Sequence, residues 1–259
     1  MAETIPAMNL LVRLRPVALI AVLLVAWHIG AEYQSFHMLP GPLAVVTGIV
    51  ELAQRGLLLN YIVASLFRVT WGYVMAALLA IPLGLAIGWY QRAGMALNPL
   101  IQILRPISPL AWIPISILWF GVGDMAAIFL IFLASLLPLT VTAMNAVNGI
   151  PQVYINAGRN FGLSQAQLVY RVLFPAVAPQ LIIGLRITLG IAWLVVVAAE
   201  MIAVNSGLGF LIVDARNAGN RYDLVVAGMA MIGVIGLMLD ISMRSLEKIK
   251  SLQWGYSED

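Results

Sequence analysis

The chain has 259 residues, of which 62% are hydrophobic and 10% are charged, and its formal net charge is +3. A soluble domain carries about 25% charged residues, so this composition excludes an ordinary water-soluble domain and predicts a protein covered by a bilayer. The chain has no cysteine, which excludes disulfides, thiolate metal sites and a cysteine nucleophile.

The apolar runs predict an all-α membrane protein with about six transmembrane helices, since a spanning helix needs about 20 mainly apolar residues. Helices are favoured because backbone groups in lipid must pair internally and no barrel-like alternation is visible. The first run follows Arg13 and Arg15 and is taken as an uncleaved span rather than a signal peptide. The predicted spans are residues 16–31, 62–90, 109–122, 125–147, 177–204 and 224–243.

The basic residues predict the orientation, because cytoplasmic loops carry an excess of Lys and Arg. With a cytoplasmic N-terminus, nine of the 14 basic residues lie inside, three lie outside and two fall within spans. The nine are Arg13, Arg15, Arg92, Arg105, Arg159, Arg171, Arg244, Lys248 and Lys250. The chain is therefore predicted to be one membrane domain, residues 1–259, with residues 1–15 and 244–259 in the cytoplasm.

A polar loop, residues 148–176, separates the fourth and fifth predicted spans on the cytoplasmic side. Pro151 suits the first turn of a short helix, along which Tyr154, Ala157 and Phe161 fall on one apolar stripe. A soluble loop of this kind between spans predicts a place where another protein binds. The alternative is a plain surface loop in which glycine and proline serve only as turns.

Two turn signals follow this short helix. Gly162 is expected to end the helix in a left-handed conformation, and Ser164 with Gln167 makes a capping box for a second helix. Pro175 is expected to break the second helix before the fifth span begins. The loop is thus predicted to be a helix, a sharp turn and another helix.

This loop resembles the signature of the permease subunits of binding-protein-dependent ABC importers, in which Glu-Ala-Ala, a glycine and Ile-x-Leu-Pro recur at fixed spacing. The matching residues here are Asn156-Ala157-Gly158, Gly162, Val172-Leu173-Phe174 and Pro175. Asn156 stands where the family has Glu, so this position offers no carboxylate to a partner. Ala157, Gly162 and Pro175 are retained at the family's spacing.

Two further motifs resemble the nitrate, sulfonate and taurine branch of that family. The first reads LRPISPLAWIP over residues 104–114 and continues as ILWFG over residues 117–121. The second reads AEMI over residues 199–202 and SGLG over residues 206–209. The resemblance extends from about residue 39 to residue 240, which is most of the chain.

The resemblance implies a type I ABC importer permease fold with a cytoplasmic coupling helix, in a bacterial inner (plasma) membrane. The implied partners are a second copy of the chain, two cytoplasmic ABC ATPase subunits, an extracytoplasmic substrate-binding protein and membrane lipid, with no nucleic acid. The implied substrate is a small anion of the aliphatic sulfonate, taurine, nitrate or bicarbonate class. The residues implied to couple to the ATPase are Tyr154, Asn156, Ala157, Gly158, Arg159, Asn160, Phe161, Gly162 and Pro175.

The sequence contains no G-x-x-x-x-G-K-[ST] phosphate loop, and its only lysines are Lys248 and Lys250. The chain is therefore predicted to be a non-catalytic subunit without a cofactor of its own, while a partner ATPase binds ATP and magnesium. The alternative is a self-contained channel or secondary carrier, which the scarcity of carboxylates in the spans disfavours. A purely structural scaffold is a third possibility, against which the polar loop argues.

The candidate substrate pathway comprises Arg186, Arg68, Pro109, Trp112 and Glu200. Charges inside spans are costly and often functional, so Arg186 could line an anion pathway or could pair within the bundle. Arg68 is expected to extend outward to the membrane surface, and Glu200 to make a polar contact between helices. Prolines near Pro109 interrupt the third predicted span, and broken helices often line cavities.

Overall fold

The computed structural model describes residues 5–33 and 39–247, and all regular secondary structure in these ranges is helical. This confirms the predicted all-α class. The helices are α1 (Ile5–Glu32), α2 (Pro42–Gln54), α3 (Leu57–Trp89), α4 (Gln91–Leu104), α5 (Ile113–Phe120), α6 (Asp124–Asn148), α7 (Gln152–Asn160), α8 (Gln165–Leu168), α9 (Phe174–Ala203), α10 (Leu208–Asn217) and α11 (Tyr222–Glu247). Most of the predicted cytoplasmic tail, residues 248–259, and residues 1–4 of the predicted N-terminal segment lie outside the described residues.

Among the described residues, four helices are long and apolar enough to cross a membrane. They are Leu57–Trp89, Asp124–Asn148, Gln165–Ala203 and Tyr222–Ser245. A fifth span results if Arg92–Leu104 and Pro109–Phe120, which are bent by 80° relative to each other, are counted together. The first predicted span lies within α1, whose apolar part Ala18–Glu32 is among the shorter apolar helices. The apolar helix α2 was not predicted, because its 13 residues are too few for a span.

The third predicted span, residues 109–122, is not one straight helix. A short 3-10 turn, Pro109–Trp112, precedes the eight-residue helix α5, and α4 approaches this turn at a steep angle. Proline removes a backbone N–H and disfavours helical conformation in the residue before it. Pro106 and Pro109 therefore bend the chain between α4 and α5.

The prediction that Pro175 breaks the helix before the fifth span is wrong. The chain stays helical from Gln165 to Ala203, through a π-helical turn at Val169–Leu173. A proline clashes with the carbonyl four residues earlier in a regular helix, and the wider π turn lies just before Pro175. Pro175 is the second residue of α9 and therefore lies inside the continuous helix, directly after the π turn.

The chain divides into two compact units, Met1–Leu59 with Leu211–Ala230, and Asn60–Phe210 with Met231–Asp259. The single membrane domain expected from the sequence stays a prediction. In the first unit, Arg221 bridges the carboxylates of Glu51 at 2.6 Å and Asp223 at 2.7 Å. The hydrogen bond from Arg221 holds the pKa of Glu51 below its ordinary value.

In the second unit, α6 and α9 pack side by side in opposite directions. At one end, the N–H of Gly123 before α6 donates to the carbonyl of Ala203 at the end of α9, at 2.8 Å. At the other end, Ala146 and Val147 of α6 share a buried cluster with Val177 of α9. The pair therefore spans the unit, with α7 at the end where α6 finishes.

Candidate functional site

The short helix α7 ends as the sequence predicts, in a glycine turn. Gly162 has a φ of +74°, a value that favours glycine. The N–H of Leu163 donates to the carbonyl of Gly158 at 3.1 Å, and the N–H of Gly162 donates to that of Arg159 at 2.9 Å. This pair of bonds is the Schellman motif, which satisfies carbonyls left free at a helix end. The backbone of α7 therefore needs no outside partner here.

The next helix, α8, begins with the predicted capping box. The hydroxyl of Ser164 accepts from the N–H of Gln167 at 3.4 Å, and the Gln167 side chain accepts from the N–H of Ser164 at 2.9 Å. Behind this turn, a Cβ on Gly158 would lie 2.6 Å from the Cδ2 atom of Leu168. The glycine therefore allows α7 to lie close against α8.

One side of α7 is buried and the other is open. Ile155 packs against the buried cluster that joins α6 to α9, and Gly158 is buried. By contrast, 87% of Phe161 and 55% of Tyr154 are exposed. The helix α7 and the residue that follows it, which lie outside the four described spans, thus present large aromatic side chains that the rest of the chain leaves exposed.

A cleft of about 890 Å³ lies between α7 and the first turns of α9. Its lining is mainly apolar and includes Tyr154, Phe161, Pro175 and Ile183, with Arg171 as its charged residue. The exposed aromatic residues of α7 thus border an apolar depression. Such a combination is typical of a surface that binds another protein.

The structure brings the predicted coupling residues together on α7 and around its two flanking turns. Asn156, Arg159, Asn160 and Gly162 are exposed, Ala157 is half-buried, and Gly158 is buried. Pro175 borders the same cleft, from the start of α9. The predicted stripe of Tyr154, Ala157 and Phe161 faces the cleft rather than the core.

At the opposite end of the α6–α9 pair, Arg68 of α3 is buried, with only 2% of its surface exposed. The expectation that Arg68 extends outward is wrong. Its guanidinium binds Glu200 at 2.7 Å and Asp124 at 2.7 Å, and donates to the carbonyl of Ser206 at 2.7 Å. Burying a charge is tolerable when it is paired and hydrogen-bonded, and these partners replace the water that Arg68 would otherwise seek.

Glu200 makes the polar contact between helices that the sequence predicts, and it is fully buried. Its carboxylate accepts from Arg68, from the hydroxyl of Ser65 at 2.9 Å and from the N–H of Gly209 at 2.9 Å. Sequence reasoning did not find Ser65 as a partner. Ser65 and Arg68 lie three residues apart on an apolar helix, and this spacing is the signal that could have paired them.

Arg186 of α9 is half-buried and forms an ion pair with Asp240 of α11 at 2.6 Å. Asp240 also accepts from Arg244 at 3.0 Å. One carboxylate thus lies between two guanidinium groups. Sequence reasoning did not connect Arg186 to Asp240, which is 54 residues away.

The five predicted pathway residues therefore lie in three places. Arg68 and Glu200 share the buried cluster, Arg186 lies beside Asp240, and Pro109 and Trp112 are half-buried in the 3-10 turn. In the part of the chain that the structure describes, no group of three or more His, Asp or Glu residues could hold a metal ion.

Residues 72–250 match the model of a family described as the binding-protein-dependent transport system inner membrane component. The taurine transport system permease protein TauC of Escherichia coli K12 is 36% identical over 238 residues, covering 88% of this chain and 86% of TauC. The nitrate import permease protein NrtB of Synechocystis sp. is 37% identical over 246 residues, covering 91% of this chain and 88% of NrtB.

Among solved structures, a chain of the MetNI methionine ABC transporter in an inward facing conformation superimposes with a TM-score of 0.66 at 18% sequence identity. The match covers 76% of this chain and 97% of that chain. The likeness is one of fold, the type I importer permease fold. Since the family match and both relatives span most of a helical, multi-pass membrane chain, this protein belongs to the binding-protein-dependent transport system inner membrane components.

Proposed function

We propose that this chain is the membrane subunit of an ATP-driven importer and that α7 is where a cytoplasmic ATPase subunit binds. The observation that carries the proposal is the exposure of Tyr154 and Phe161 beside the apolar cleft, on and just after a helix whose C-terminal carbonyls are already paired. The proposed contact residues are Tyr154, Asn156, Ala157, Gly158, Arg159, Asn160, Phe161, Gly162 and Pro175.

The connections of α7 support a coupling role. Gly149 to Pro151 join α7 to the end of α6, and the continuous helix from Gln165 leads from the α7 turn into α9. A displacement of α7 therefore acts on both members of the α6–α9 pair. For such a displacement to drive transport, the ATPase must stabilise two arrangements of the membrane helices unequally.

The proposed assembly contains two copies of this chain, two ATPase subunits and a substrate-binding protein. ATP and magnesium would be bound by the ATPase subunits, because this chain has no phosphate loop. Nine of the 14 basic residues fall on the side of the predicted topology that includes residues 148–176, which favours a cytoplasmic location for this loop and for both termini. The binding protein would then dock at the opposite, extracytoplasmic face.

The proposed substrate is a small anion, such as an aliphatic sulfonate, taurine, nitrate or bicarbonate. Two relatives are named for taurine and nitrate, and Arg186 with Pro109 and Trp112 are the proposed pathway residues. Asp240 already neutralises much of the charge of Arg186. The pathway therefore attracts anions weakly, and the choice of substrate rests mainly with the binding protein.

Affinity capture of the tagged chain from its own membranes tests the proposal. An ATPase subunit with a phosphate loop should co-purify, and the purified complex in proteoliposomes should hydrolyse Mg-ATP and import an anion of the proposed class. Phe161→Ala should release the ATPase subunit, since a buried aromatic residue at an interface contributes about 2 kcal/mol or more. The matched control is Tyr33→Ala, since Tyr33 is equally exposed at 87% but lies outside α7.

Two results would contradict the proposal. Import by the purified chain alone, without ATP, would indicate a channel or secondary carrier. Equal recovery of the ATPase subunit with Phe161→Ala and with unmodified chain would remove α7 from the interface.

A further inference from the structure

A buried ionic cluster lies at the end of the α6–α9 pair remote from α7. We call it the Arg68 cluster, and it consists of Ser65, Arg68, Asp124, Glu200 and Ser206. These residues come from α3, from the start of α6, from α9 and from the turn before α10. At about 1.5 Å per residue, the 25-residue helix α6 separates this cluster from α7 by roughly 37 Å.

The polar groups at the centre of the cluster are engaged by one another. The guanidinium of Arg68 has five N–H groups, and its three nitrogens contact Asp124, Glu200 and Ser206. The carboxylate of Glu200 accepts from three donors and is fully buried. Both side chains are therefore placed to hold protein segments rather than to contact a substrate.

Glu200 also holds the start of α10. The N–H groups of the first helical turn lack partners within a helix, and here Leu208 donates to Ser65 at 3.0 Å while Gly209 donates to Glu200. Gly207 has a φ of +108°, and a Cβ there would collide with the Glu200 carboxylate. A Cβ on Gly209 would lie 2.8 Å from the Cβ atom of Glu200. The turn before α10 is thus pressed directly against this carboxylate.

From this geometry we infer that Arg68 and Glu200 are positioning residues for transport. They tie the ends of α3, α6, α9 and α10 into one piece, so that a displacement of α6 and α9 at the α7 end moves the opposite end as a unit. Without this connection, ATP hydrolysis continues but no longer moves the remote end. The inference rests on the ATP-driven import proposed above, and it gives Arg68 and Glu200 a different role from the pathway role predicted from the sequence.

The test compares Arg68→Gln, Glu200→Gln and the double variant in the complete complex in proteoliposomes. Each single variant leaves a buried charge without its main partner and should lower the thermal unfolding temperature, while the neutral double variant should recover it. The number of anions imported per ATP hydrolysed should fall about tenfold in all three, a coupling loss within the ordinary range. The probe anion is whichever of taurine, nitrate or bicarbonate the unmodified complex imports.

The control is Arg55→Gln, which removes an exposed ion pair with Glu51 and should change neither the unfolding temperature nor the number of anions imported per ATP hydrolysed.

A double variant that recovers stability and also imports at the unmodified ratio would overturn the inference, because the pair of Arg68 and Glu200 would then be only structural. If the double variant does not assemble, Ser65→Ala gives the answer, since it keeps both charges and removes the bonds by which α3 holds Glu200 and the N–H of Leu208 at the start of α10. If Ser65→Ala imports as many anions per ATP hydrolysed as the unmodified complex, this result would likewise overturn the inference. Failure of the proposed function is distinguishable, because the unmodified complex would then show no ATP-dependent import of any of the three anions.

Discussion

At one end of the α6–α9 pair, α7 leaves Tyr154 and Phe161 exposed, whereas at the other end Arg68 and Glu200 are almost completely buried. The carbonyls at the end of α7 are satisfied by its own glycine turn, and the adjacent capping box pairs the start of α8. The remote end depends instead on ion pairs between helices that are far apart in the sequence. We therefore expect the first end to lose side chains without unfolding and to be suited to binding, and the second end to lose stability when its side chains are removed.

The largest expected effect tests the stability half of this comparison. Glu200→Leu leaves Arg68 buried without its main partner, and breaking a buried ion pair costs about 3–5 kcal/mol of unfolding free energy. Tyr154→Ala on exposed α7 should change stability by less than about 0.5 kcal/mol. Thermal unfolding of both variants in the same detergent measures the difference. Equal unfolding temperatures would show that the two ends do not differ in this way.

A smaller effect is expected between the two ends, where α6 and α9 touch. A Cβ on Gly184 of α9 would lie 3.2 Å from the Cβ atom of Thr142 and closer still to its methyl group. Gly184→Val should therefore cost about 1–3 kcal/mol through overpacking. Gly190→Ala is the control on the same helix, because nothing lies within 4 Å of its added Cβ, and its helix propensity rises by up to about 1 kcal/mol. Gly184→Val should therefore unfold at a lower temperature than Gly190→Ala. The opposite order would show that the close approach of α6 and α9 does not stabilise their packing.

A further prediction concerns the glycine turn after α7, where the backbone conformation of Gly162 should affect the coupling of ATP hydrolysis to import. At the left-handed φ of Gly162, an L-residue costs about 1–2 kcal/mol, and a β-branched residue resists this region most. Gly162→Val should therefore shift α7 and lower the import per ATP hydrolysed, while Gly162→Asn, which tolerates the same φ, should retain it. Nothing lies within 4 Å of an added Cβ, so space does not decide the outcome. Unchanged import and ATP hydrolysis in the Val variant would contradict a coupling role for this turn.

The sequence predicted the α7 end well because that structure is local. The glycine turn and the capping box at Ser164 involve residues within a few positions of one another, and residue type alone sets their conformation. The effect of Pro175 was predicted wrongly because a helix can continue through this proline only with the π-helical turn before it, and residue types alone do not predict such a turn. The bend between α4 and α5 was anticipated as a proline interruption, but its angle depends on packing.

The remote end was less predictable because its partners are distant in the chain. Arg68 meets Glu200 132 residues later and Asp124 56 residues later. An isolated arginine near the start of an apolar helix is expected to extend its guanidinium to the aqueous membrane surface. Only the fold shows that the carboxylates of Glu200 and Asp124 bind the Arg68 guanidinium in place of water. Glu200 was expected to contact another helix, yet its partner could not be named from periodicity.

The smallest stability effect is expected at Arg186, which is intermediate between the two ends in burial. Its ion pair with Asp240 is partly exposed, and such pairs contribute about 1 kcal/mol or less. Arg244 binds the same carboxylate and is more exposed, at 59% of its side chain, so Arg244→Ala is the matched control for Arg186→Ala. If Arg186 lines the anion pathway, its removal should lower anion uptake while complex yield and unfolding temperature stay close to those of the control. Loss of a pathway charge by itself does not prevent assembly. A large loss of complex yield in Arg186→Ala, but not in Arg244→Ala, would therefore indicate that Arg186, like Arg68, holds helices together.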